Sequence, residues 1–112
     1  MVTMIMAVFA GDPLTLWGKQ TAGWGHSVNA KTEGNTLVLK KSAEIVKVSG
    51  DAKVYCIWAK ATPQNPTAKS VLCGGKGYEN IKGKVLPAGS YTVLPGLEGK
   101  KSAKVTITFK EK

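Results

Sequence analysis

Between Trp17 and His26 the chain reads Trp-Gly-Lys-Gln-Thr-Ala-Gly-Trp-Gly-His, which puts two tryptophans, three glycines and several hydrogen-bonding side chains into ten residues. Tryptophan offers a rigid flat surface with one N–H donor, suited to stacking on a sugar ring or a base, or to resting at a lipid interface. Glycine lets a backbone approach a ligand closely. Trp17, Gln20, Trp24 and His26 are therefore the first candidates for ligand contact, with the indoles as platforms and Gln20 and His26 as orienting hydrogen-bonders. The weak alternation of the segment reads as a loop. The competing expectation turns both tryptophans inward as core plugs, since most tryptophans are largely buried. A second glycine-rich stretch, Cys73-Gly74-Gly75-Lys76-Gly77-Tyr78, adds Lys76 and Tyr78 as candidates, although glycines at a tight connection are more often there for backbone geometry.

Catalytic equipment is thin. His26 is the only histidine, and the seven acids show no close pair on one strand face. Ser27 and Ser90 lack the strand-turn-helix elbow of a nucleophilic serine. Gly96-Leu97-Glu98-Gly99-Lys100-Lys101-Ser102 has the residue types of a phosphate loop, but its spacing is short and it leads into a strand instead of a helix. Two cysteines and one histidine do not form a metal motif. No enzyme activity, no metal and no cofactor are expected.

Cys56 and Cys73 are the two cysteines. Their pairing closes a loop of roughly 17 residues, worth about 3 kcal/mol in the chain-entropy model. Small exported domains concentrate such staples, so a disulfide and a secreted or periplasmic location are expected. Two buried free thiols are the alternative.

All sixteen basic residues are lysine, and the formal net charge is +9. Lysine is a hydrated point charge, whereas the planar fork of arginine reads guanine edges and grips phosphates in pairs. A lysine-only surface attracts polyanions without being equipped to single one out. Lys40, Lys41, Lys82, Lys84, Lys100, Lys101, Lys104 and Lys110 fall at turns or outward positions. There they can serve as guards against edge-to-edge strand pairing or as a polyanion-attracting face.

The elements that carry these residues read as short strands. Val105, Ile107 and Phe109 alternate with Lys104, Thr106, Thr108 and Lys110, the period-two pattern of a half-buried strand. Leu37 and Leu39 follow the turn Glu33-Gly34-Asn35, and Ile45 to Val48 follow Lys40-Lys41-Ser42. Val54 to Ala59 is apolar on both faces, which predicts a central strand buried on each side with Trp58 in the core. Ser49-Gly50-Asp51 suits a hairpin between it and the preceding strand. Tyr91 to Leu94 lies between Pro87-Ala88-Gly89 and Pro95-Gly96. Asn65-Pro66 before Thr67–Leu72 and Gly74 fits a short helical turn near 66–72 as well as a strand.

Turn signals about every 8–12 residues predict one all-β domain over 1–112, an antiparallel sandwich or barrel of about 7–9 strands. No run approaches the ~18 apolar residues of a membrane helix. The apolar Met1–Ala10 reads as a core strand, or as the remnant of an export signal.

Together these features suggest a non-enzymatic binding module outside the cytoplasm, contacting a glycan or anionic surface through the Trp/Gly segment and a lysine face. Three other classes compete with it. A secreted membrane-active toxin has the charge but lacks an amphipathic basic helix. A nucleic-acid-binding barrel has the aromatics but lacks arginine. A structural subunit would assemble through Met1–Phe9.

Overall fold

The computed structural model describes residues 14–23, 31–60, 63, 69–75, 81–99 and 101–112. Their fold is all-β, with two antiparallel sheets built from nine short strands and one sheet curled into a half-barrel. The strands are β1 (Leu14–Ala22), β2 (Lys31–Gly34), β3 (Leu37–Leu39), β4 (Ala43–Gly50), β5 (Tyr55–Ala59), β6 (Lys69–Gly74), β7 (Val85–Leu86), β8 (Gly89–Pro95) and β9 (Ala103–Glu111). The five-stranded sheet runs β2-β1-β9-β4-β7 and the four-stranded sheet β3-β8-β5-β6.

The alternation of β9 appears as expected. Val105, Ile107 and Phe109 are buried, while Lys104, Thr106, Thr108 and Lys110 line the opposite face. β9 lies between β1 and β4 and pairs with both along most of its length. Leu16, Ile45, Ile107 and Phe109 from this sheet meet Leu39, Ile57 and Val93 from the other in one core. The β4–β9 register shifts between Ile45 and Lys47, leaving Val46 as an extra residue. That bulge keeps both Ile45 and Val48 on the core side and turns Lys47 outward.

Several expectations are corrected. Trp17 to Ala22 is not a loop but most of β1. Of the two readings of 66–72, Lys69 to Leu72 take the strand as part of β6, held beside β5 through Cys56↔Cys73 and Ile57↔Leu72, while 66–68 lie outside the described residues. Ser49-Gly50-Asp51 does not close a hairpin, because β4 and β5 lie in different sheets. The backbone N–H groups of Asp51 and Ala52 both donate to the Lys104 carbonyl, while the Asp51 carboxylate accepts the Lys104 N–H at 2.9 Å. Gly50 takes φ 115°, a conformation that side-chain-bearing residues rarely adopt, which aims the chain across to the second sheet.

Trp58 is not a core residue. On β5 it is Tyr55 and Ile57 that are buried in the core and Ala59 that packs against it, while Cys56 and Trp58 stand half-buried on the outer side. β5 is central in its sheet, but only one of its faces meets another layer.

Asn35 accounts for the crossing between β2 and β3. Its side chain accepts the Trp17 backbone N–H and donates to the Thr15 backbone carbonyl, each at 2.8 Å. Its own N–H donates to the Trp17 carbonyl at 3.3 Å. One side chain thus satisfies β1 where the neighbouring strand departs for the other sheet. Cys56 and Cys73 form the expected disulfide, with S–S 2.05 Å.

Candidate functional site

Trp17 and Gln20, neighbours in sequence, stand on opposite faces of β1. Leu16, Gly18 and Gln20 are buried, whereas Thr15, Trp17, Lys19 and Thr21 line the outer side. Gly18 lies where β1 crosses the backbone of β8, and a Cβ there would overlap the Val93 carbonyl oxygen. Gln20 is fully buried. Its amide donates to the Ala22 carbonyl at 3.1 Å, and its Oε1 has no hydrogen-bond partner. Gln20 therefore cannot share a ligand surface with Trp17. Trp24, His26, Lys76, Tyr78 and the segment Met1–Ala10 lie outside the described residues.

The outer face of the five-stranded sheet is a grid whose rows follow from the strand registers. One row places Glu33, Lys19 and Lys104 side by side on β2, β1 and β9. The next places Trp17, Thr106 and Ser49 on β1, β9 and β4. A third carries Thr15, Thr108 and Lys47, and a fourth Lys110 and Glu44. Rows stand about 7 Å apart along the strands, and neighbours within a row about 4.8 Å apart. Trp17 is half-buried among its neighbours, while Thr15, Ser49, Lys47 and Lys104 are exposed.

The electrostatics of this grid are uneven. Lys19 and Lys104 are directly opposite on adjacent strands, an arrangement that like charges disfavour. The Lys104 ammonium is 5.3 Å from the Trp17 ring centroid, within cation–π range. That contact is worth about 0.5–1 kcal/mol at an exposed site and draws Lys104 towards the indole. At the far end, Lys112 donates to Glu44 at 3.1 Å and Lys41 approaches Glu111 at 4.0 Å. Two lysines therefore stand beside Trp17, with Glu33 on the far side of Lys19 and serine and threonine hydroxyls in the adjoining rows.

The sequence reading missed Thr15, Thr106, Ser49 and Lys104 as companions of Trp17. The period-two pattern of β9 carried the signal for Thr106 and Lys104, but only the β1–β9 pairing brings them beside the indole.

A shallow cleft of about 280 Å³ lies where the chain passes from β2 to β3, bounded by Thr32–Thr36 and by Thr92–Leu94 of β8. Its lining has one titratable side chain, Glu33. Among the described residues no three His, Cys, Asp or Glu side chains gather as a metal site. No described helix is long and apolar enough to cross a membrane. Neither a protein-family model, a curated protein nor a solved structure matches the chain.

Proposed function

We propose that the protein is a non-enzymatic binding module that works outside the cytoplasm and holds an acidic glycan on the outer face of the five-stranded sheet. The observation carrying this reading is the placement of Trp17 beside the opposed lysines Lys19 and Lys104. An anionic group seated between the two ammoniums relieves their mutual repulsion, and the indole offers a flat apolar surface for the ring that carries the anion. Hydroxyls of Thr106, Thr15 and Ser49 supply directional donors and acceptors in the adjoining rows. An acidic saccharide combines a charge, a ring face and hydroxyls at these spacings, whereas a bare polyphosphate engages only the lysines. The Cys56–Cys73 disulfide, exposed at Cys73, supports a disulfide-permissive compartment. A single histidine and seven dispersed acids support a non-catalytic role.

Titration of the protein with a polyuronate, a neutral glucan, polyphosphate and single-stranded DNA, followed by tryptophan fluorescence at low and moderate salt, tests the reading. The polyuronate is expected to shift emission and to stay bound at moderate salt, and Trp17→Ala to abolish the shift. Equal attraction to every polyanion that vanishes together as salt rises leaves the lysines as a solubility device and overturns the proposal.

A further inference from the structure

Among the described residues, the outward positions within the strands of the four-stranded sheet carry no charged residue, in a chain with sixteen lysines. One row holds Thr92, Trp58 and Ser70, and the next holds Leu94, Cys56 and Cys73 with their disulfide. Val38 on β3 stands beside Ser90 and is 58% exposed. Val71, the extra residue of a bulge in β6, is 44% exposed. Lys40 and Lys60 follow the ends of β3 and β5 at the margin of the face, and the Lys60 N–H donates to the Ser90 carbonyl at 3.0 Å, beside the Val38 row. An apolar and hydroxyl-bearing centre with a tryptophan and lysines at its margin is the composition of a protein–protein interface.

We propose that this face is where two copies of the chain associate, back to back, about a two-fold axis. Charge selects the occupant. Two bodies of net charge +9 repel wherever lysines face one another, and the outer face of the five-stranded sheet carries Lys19, Lys47, Lys104 and Lys110. Among the described residues, the four-stranded sheet is the broad strand face that sets the fewest ammoniums against a second copy, with Lys40 and Lys60 only at its margin. A surface of valine, leucine, tryptophan, serine and threonine can meet its own copy, as a two-fold contact requires. Four strands about 4.8 Å apart and about 17 Å long give roughly 330 Å² in projection per copy. The two faces together give roughly 660 Å², below the ~1,000 Å² that a stable interface clears, so the dimer is weak and concentration-dependent.

This inference is independent of the glycan reading, and salt separates the two. Polyanion binding weakens as salt screens the lysines, whereas self-association of a +9 chain strengthens because the same screening lowers its self-repulsion.

Sedimentation velocity of the purified protein from micromolar to millimolar concentration, at about 50 mM and about 500 mM salt, is the test. The average mass is expected to climb towards twice that of one chain, and to do so at lower concentration in the higher salt. Val38→Lys and Thr92→Lys, both solvent-facing changes, are each expected to weaken association about tenfold or more. Val85→Lys is the matched change on β7, where the valine is 47% exposed on the other sheet, and leaves association unaltered. A single-chain mass at every concentration and salt overturns the proposal. So does self-association that ignores Val38→Lys and Thr92→Lys. Capture by zwitterionic vesicles through these residues without self-association assigns the face to lipid and overturns it as well.

Discussion

The two sheets share one construction and present opposite chemistry to solvent. Each is antiparallel, each turns a row of aliphatic side chains into the common core, and each holds one half-buried tryptophan on its outer side. Trp17 is surrounded by Lys19, Lys104, Thr106 and Ser49. Trp58 lies among Thr92, Ser70 and the disulfide. If the lysines only kept strands from pairing edge to edge, they would be as frequent on one sheet as on the other. Some do guard edges, such as Lys31 on β2 and Lys69 on β6. Among the described residues, however, the lysines in face positions within strands are confined to the five-stranded sheet. On that segregation rest the proposed ligand surface of one sheet and the proposed protein contact of the other.

The largest effect tests the seam that both faces depend on. Gly18→Ala places a methyl group against the Val93 carbonyl, where β1 and β8 pass at backbone contact. A loss of more than about 3 kcal/mol in chemical denaturation is expected, and both outer faces should fail together. A milder loss would show that the two sheets can separate at this point.

Removing the disulfide separates the faces. Replacing Cys56 and Cys73 by serine is expected to cost about 3 kcal/mol through the freed loop. Under native conditions the polyuronate should still shift tryptophan emission, because Trp17 is in the other sheet. Equal damage to stability and to binding would mean that the sheets are more tightly coupled than their geometry implies.

The two tryptophans give the direct contrast. Trp17→Ala should weaken polyuronate binding about tenfold with little change in denaturation midpoint, corresponding to about 1.4 kcal/mol of binding energy. Trp58→Ala should leave that affinity unchanged and impair self-association. Reversal of the two outcomes would exchange the roles assigned to the faces.

The smallest effect concerns Tyr91, buried between the layers, whose hydroxyl donates to the Pro87 carbonyl at 2.7 Å. Burial raises its phenol pKa above the ordinary 10.0 by disfavouring the phenolate. Its folded pKa then exceeds its unfolded one, so its contribution is complete below pH 10 and declines as pH rises through the folded value. Tyr91→Phe should cost about 1 kcal/mol near neutrality and flatten the alkaline fall of the urea midpoint. An unchanged alkaline profile would place the sensitivity elsewhere.

What the sequence revealed depended on whether a strand kept its period. β9 was legible because Val105, Ile107 and Phe109 obey strict alternation. β1 was not, since its inward positions after Leu16 are Gly18 and Gln20, one small for close approach to β8 and the other polar yet buried. Trp58 misled for the opposite reason: its strand is apolar on both sides, while only one side meets another layer. The bulge at Val46 hid the facing of Lys47. Asn65-Pro66 supplied a helix-start signal, yet Lys69–Gly74 follows the pairing of Cys73 with Cys56. The disulfide itself was readable because two cysteines admit one pairing. The Trp17–Lys104 neighbourhood could not be read locally, since it depends on a pairing between residues from opposite ends of the sequence.

That same pairing governs the order of assembly. β9 is the strand through which β1 and β4 join one sheet, and it is the last of the nine to be synthesised. Until residues 103–111 have left the ribosome, β1 and β4 lack their common neighbour, and the row containing Lys19 and Lys104 does not exist. Such distant contacts slow folding, because loop closure must precede the stabilising contacts. Of the nine described strands, β9 emerges last, and only with it is the cationic face complete.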